Sequence, residues 1–182
     1  MNRREAARRF GSPAIVMHWL MALVLIGLVA CVELHEFFPK GSEIRRQLLS
    51  WHFMLGVLVP GLLIVRLIVL TRPAPPIVPQ PPRWQQLLAK AVQGLLYLLM
   101  LAMPVLGILT RNADGRAVPF FGGLTLPVLI DKNPDLADQL MDLHELGADL
   151  AFVLVGLHVA AALYHHFVVR DNALLRMWPG RR

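Results

Sequence analysis

Four of the seven histidines in this chain of 182 residues, His18, His52, His144 and His158, lie inside or at the lip of long apolar segments. A polar ring carried into lipid is costly, so its presence there points to function. His144 and His158 share one segment and stand 14 residues apart. On a helix that spacing is about 21 Å of rise, and the accumulated turn comes back to within about 40° of the same face. One helix can therefore offer an imidazole near each side of a bilayer, while two other helices each supply a partner. Paired imidazoles suit an iron porphyrin. Two axial nitrogens per iron leave no open position, so such a centre exchanges electrons and does not bind oxygen. The cofactor expectation is two stacked b haems, each held by two histidines.

The elements that must carry these rings are long and apolar. Hydrophobic residues make up 56% of the chain, only 16% are charged, and the mean hydropathy is +0.55. Soluble domains seldom combine those values. Apolar blocks long enough to cross lipid, which takes roughly 20 residues, can be drawn at about 13–34, 50–70, 86–109 and 144–169. The fold expectation is a single all-α domain over residues 1–182, an integral membrane four-helix bundle. The first block is too long for a signal-peptide core and is read as a retained helix. Pro73, Pro75, Pro76, Pro79, Pro81 and Pro82 make the second linker extended. Pro104 followed by Gly107 predicts a kink in the third helix. Residues 112–129, rich in Gly and Pro, read as loop, and Asn133–Asp142 as a short surface helix with Pro134 in its first turn. With one cysteine, Cys31, an internal disulfide is excluded, and no C-x-x-C-H or H-E-x-x-H occurs.

Charge orients the bundle. The N-terminus, the second loop and the tail (Arg3, Arg4, Arg8, Arg9, Arg66, Arg72, Arg83, Lys90, Arg170, Arg176, Arg181, Arg182) hold twice the Lys and Arg of the first and third loops. The positive-inside rule then puts both termini in the cytoplasm. Nearly all acidic residues fall on the other side. The formal charge of +6 is thus a topological signal. Its scatter over three lipid-adjacent segments excludes a nucleic-acid footprint. By depth, His52 pairs with His144 on the outer side and His18 with His158 on the inner.

Around the rings, the face His144, Gly147, Ala148, Ala151, Val155, His158, Ala162 is mostly small, and Gly56 lies one turn after His52. Such a stripe leaves room for a flat macrocycle, or simply lets helices approach closely. Arg66 follows His52 by 14 residues, on nearly the same face at the opposite depth. It either meets a haem propionate or snorkels to lipid phosphate. His165 shares the His158 face and competes with it by depth. His166 lies at the same boundary, and both can be interfacial, beside lipid or propionate. His35 reads as solvated.

These residues carry a resemblance. Met17-His18-Trp19, Trp51-His52-Phe53-Met54-Leu55-Gly56, Val65-Arg66-Leu67, Leu143-His144-Glu145, Gly156-Leu157-His158, Tyr164-His165-His166 and the run Asp171-Asn172-Ala173-Leu174-Leu175-Arg176-Met177 are similar to stretches of the bacterial di-haem cytochrome b561 family. The likeness is greatest to its superoxide:ubiquinone oxidoreductase branch and covers nearly the whole chain. It implies four transmembrane helices in the bacterial inner membrane and haem ligands at His18, His52, His144 and His158, with His158 preferred over His165. It also implies superoxide as electron donor and ubiquinone as acceptor. The first and third loops are net acidic, which does not favour an arriving anion. Lys40, Arg45 and Arg46, just before His52, form a local basic cluster that could steer it. The rival reading is an electron-relay membrane subunit that links a partner dehydrogenase or hydrogenase to quinone.

Overall fold

The computed structural model describes residues 9–71 and 73–179. Of the basic residues used above for orientation, Arg3, Arg4, Arg8, Arg72, Arg181 and Arg182 lie outside them. The described residues form four long helices: α1 Ser12–His35, α2 Glu43–Val69, α3 Arg83–Ala113 and α4 Pro134–Tyr164. Each is long and apolar enough to cross a membrane. Among the described residues the only sheet pairing is one isolated antiparallel bridge, Pro119 to Thr125. The fold is all-α, as expected.

The helices overrun the expected spans because their capping signals lie beyond the lipid-length cores. α2 starts at Glu43, where the Ser42 side chain accepts from the Arg45 amide at 3.3 Å. At α4 the Asn133 side chain accepts from the Leu136 amide at 3.1 Å, and Pro134 fills the first turn. The separate surface helix expected at Asn133–Asp142 does not exist. Nothing between Asp142 and His144 breaks a helix, so that segment is the first part of α4. α3 runs unbroken through Pro104 and α2 through Pro60. Beyond Tyr164 the chain makes a π-helical turn, His165–Val169, which closes on Arg170 in the left-handed region at φ 58°.

Packing divides the bundle into two hairpins. α1 packs chiefly on α2 and α3 on α4, with a thinner seam between α2 and α3. The backbone of α4 makes little close approach to α1 or α2. The buried centre is Met21, Val59 and Leu63, with Leu25, Leu28, Tyr97 and Met100 against it. Large apolar side chains such as Leu23, Ile26, Leu87, Leu98 and Val153 face outward, where lipid covers them.

One end of the bundle gathers the start of α1, the Pro-rich linker and the tail. There Phe10 N donates to Arg176 O at 3.1 Å, Trp19 Nε1 to Met177 O at 2.8 Å, and Val78 N to Asn172 Oδ1 at 2.9 Å. Asp171, Asn172 and Arg176 are buried in this junction. The opposite end holds the α1–α2 turn and the segment 114–133. Buried Asn112 shapes that segment, accepting from Leu129 N at 2.8 Å and donating to Arg116 O at 3.3 Å.

Candidate functional site

His52 and His144 meet near the end that carries segment 114–133, with ring centres 6.3 Å apart and planes 75° apart. His18 and His158 meet near the end that carries the tail, also 6.3 Å apart, with planes 57° apart. Both pairs span the gap between the hairpins, where the backbones do not close. The apolar centre Met21–Val59–Leu63 shares its helices with both pairs, three residues after His18 and seven after His52.

The separation matches what one iron between two imidazoles requires. A metal–imidazole bond is about 2 Å, and the ring centre lies about 1.1 Å beyond its nitrogen, which sets the centres about 6 Å apart. Hydrogen bonding orients a ring for the same task. His52 Nδ1–H donates to the Leu28 carbonyl at 3.0 Å, which leaves Nε2 as the free donor atom. His144 is seated by close packing: a Cβ placed on Gly107 would lie 3.3 Å from His144 Cε1. Its Nδ1 is buried and makes no close hydrogen bond among the described residues. Among the described residues there is no cluster of three or more His, Cys, Asp or Glu that could hold a bare metal ion. The arrangement fits a flat group carrying its own in-plane ligands.

Arg66 completes the second pair. It is 8% exposed, lies within electrostatic reach of His18 and His158, and its Nη1 is buried without a hydrogen-bond partner among the described residues. A guanidinium donor left so costs about 1–3 kcal/mol or more, and a carboxylate such as a haem propionate would offset that. Burial argues against snorkelling to lipid phosphate.

Other expected features fall differently. The space beside Gly147 is taken by the Met103 sulfur, which a Cβ there would meet, and a Cβ on Gly56 would lie 3.7 Å from Leu28. Gly147 serves close helix packing, whereas a side chain at Gly56 would make only ordinary contact with its neighbour. His165 is bound to Asp171, Nδ1 to Oδ2 at 2.5 Å. His35 is not solvated: its side chain is 12% exposed, bonded to the Val32 carbonyl and to Glu36 at 2.9 Å. The steering cluster is largely engaged. Arg45 donates to Glu36 at 3.0 Å and to the carbonyls of His35 and Phe38, while Arg46 is bound to Glu43 and the Gly41 carbonyl.

Two residues near the first pair escaped the sequence reading. Arg111 lies over the Phe53 ring, 4.6 Å from Cζ to its centre, and Phe53 stands edge-on to His52 at 5.8 Å. Phe121 packs edge-on against Trp51 at 6.1 Å, which folds segment 114–133 over the start of α2. An arginine in the last turn of an apolar helix was the available signal for Arg111. Nothing in the sequence indicated Phe121.

The family model for prokaryotic cytochrome b561 matches residues 9–180. Among curated proteins, the chain is 35% identical over 175 residues to "Cytochrome b561 homolog 1" of Escherichia coli (strain K12), covering 96% of this chain and 99% of that one. It is 36% identical over 176 residues to "Probable superoxide oxidase CybB" of Yersinia pestis, covering 96% and 98%. It is 30% identical over 186 residues to "Cytochrome b561 homolog 2" of Escherichia coli (strain K12), covering 97% and 95%. Four helices long enough to span a membrane accord with this match, and the chain belongs to the prokaryotic cytochrome b561 family of multi-pass, haem-binding proteins of the bacterial inner membrane.

Proposed function

We propose that the chain is a superoxide:ubiquinone oxidoreductase with two b haems, one held by His52 and His144 and one by His18 and His158. The observation that carries this is the pair of matched ring separations at two depths of one bundle. The similarity to a probable superoxide oxidase supports the choice of substrate.

When bound, the haems supply reversible one-electron exchange with no coordination position open to oxygen. The protein's share is placement and electrostatics. His52, fixed through Leu28, and His144, seated on Gly107, hold the first centre. Arg66 gives the second a buried positive charge, which favours an anionic propionate. Outward lipid-facing side chains keep water from the path between them. With the termini cytoplasmic, as the positive-inside rule indicates, the His52/His144 pair faces the periplasm. There superoxide gives up one electron and leaves as dioxygen. Two such electrons and two protons convert ubiquinone to ubiquinol.

The test is stopped-flow mixing of the purified haem-loaded chain with superoxide, followed by ubiquinone. Reduction of the haem spectrum by superoxide, then reoxidation by quinone, is expected. Haems that superoxide leaves oxidised, with reduction only through a co-purifying dehydrogenase or hydrogenase, would assign the chain to electron relay.

A further inference from the structure

The cluster Lys40, Arg45 and Arg46 is poorly suited to attract an anion, since both arginines are already satisfied by Glu36, Glu43 and backbone carbonyls. A different cation is connected to the His52/His144 pair through ring contacts. Arg111 lies four residues after Gly107, on the same face of α3 and one turn nearer the helix end. Gly107 is the residue against which His144 rests. From α2, the guanidinium is flanked by Phe53, whose ring touches His52. Arg111 is thus linked to one ligand through its own helix and to the other through a single ring.

Arg111 makes no ion pair among the described residues, although Asp114 lies within electrostatic reach of it. Its Nε donates to the Ala117 carbonyl at 3.1 Å. Asp114, the acid nearest in sequence, is bound to Arg116 at 3.1 Å. The Nε bond and the Phe53 face hold the guanidinium plane in place, so its terminal nitrogens are pre-positioned for a small anion. Arginine stacked on a ring and half withdrawn from water keeps its charge while losing part of its hydration. Such a cation attracts an anion more strongly than an exposed lysine.

We infer that Arg111 is the residue that draws superoxide to the His52/His144 end and holds it for electron transfer. The inference rests on the reading that superoxide is oxidised at this pair. The step is outer-sphere: superoxide loses one electron to the ferric centre and becomes dioxygen, with no proton moved and no covalent bond made or broken.

The experiment compares haem-loaded wild type, Arg111→Gln, Arg111→Lys and the double variant Arg45→Gln/Arg46→Gln. The readouts are the second-order rate of haem reduction by superoxide across ionic strength, the rate with an uncharged hydroquinone, and the midpoint potentials of both haems. Expected for Arg111→Gln is a roughly fivefold slower superoxide reaction with a flatter salt dependence. The midpoint of the His52/His144 haem should be lower, and the hydroquinone rate should fall much less than the superoxide rate and show no change in salt dependence. Arg111→Lys should restore most of the rate and the potential, and the double variant should change the rate less than Arg111→Gln does. An unaltered superoxide rate and salt dependence in Arg111→Gln would overturn the inference. So would Arg111→Lys behaving like Arg111→Gln, which would mean that the Ala117 bond and not the charge matters. A lowered potential with an unmoved salt dependence would make Arg111 a propionate anchor instead, which also overturns it. Wild type left oxidised by superoxide would sink the underlying reading first, and this inference with it.

Discussion

Asp171 accepts a hydrogen bond from His165 Nδ1 at 2.5 Å, and its carboxylate is fully buried while the imidazole is 18% exposed. Its other oxygen accepts from the Ala173 amide at 2.8 Å. The left-handed Arg170 turns the chain back so that this contact can form just past α4. His165 is thereby drawn into the junction between tail, linker and α1. His158, seven residues earlier on α4, is the ring that meets His18. The sequence left these two histidines in competition by depth, and the distinction lies in a carboxylate six residues after His165, just past the helical pattern.

Replacing His165 with alanine should therefore leave two haems per chain and unaltered low-spin spectra, while the tail loosens. Losing one side of a buried pair costs about 3–5 kcal/mol, here toward the lower end because the imidazole is partly exposed. Haem content by extraction and thermal unfolding of the detergent-solubilised protein measure both. Loss of a haem in His165→Ala would reverse the assignment.

Arg66→Gln should weaken retention of the haem at His18/His158 and spare the other. The change removes a charge-assisted contact worth about 1–3 kcal/mol, roughly ten- to a hundredfold in affinity. Transfer of haem to an apo-globin acceptor, followed over time, should resolve one fast and one slow phase. Two phases unchanged from wild type would show that Arg66 holds no propionate.

Gly107 offers a test from the opposite helix. Valine there would push on His144, whose Cε1 lies 3.3 Å from the position of a Cβ. Overpacking of that kind costs about 1–3 kcal/mol and should disturb the His52/His144 haem alone. Gly61, with nothing within 4 Å of its Cβ position, is the control. Gly61→Ala should keep both spectra and raise helix stability by up to about 1 kcal/mol. Equal effects from both substitutions would remove Gly107 from the site.

How far the residues alone disclose the molecule follows from what each feature depends on. The four helices were legible because lipid demands about 20 apolar residues per crossing. Their ends were not, since caps such as Ser42 and Asn133 lie past the apolar blocks in polar sequence. That His52 faces His144 was legible because helical rise and turn convert spacing into depth and face, whereas the same spacing left both His158 and His165 open as the partner of His18. The seats of those rings were not. Gly107 and the Leu28 carbonyl matter only through the approach of a neighbouring helix, which no local pattern encodes. The stripe at Gly147 stayed open to two readings for the same reason: a small residue leaves room without saying what fills it, and Met103 does. Arg111 was counted with the loop charges, although its position over Phe53 sets it apart.

The most direct measurement is haem per polypeptide, with low-spin absorption spectra, in four single variants: His18→Ala, His52→Ala, His144→Ala and His158→Ala. Expected are two haems in wild type and one low-spin haem in every variant, with His52→Ala and His144→Ala losing the same spectral component and His18→Ala and His158→Ala losing the other. Two intact low-spin haems in any one of the four, or matched losses across the two pairs, would contradict the proposed ligation.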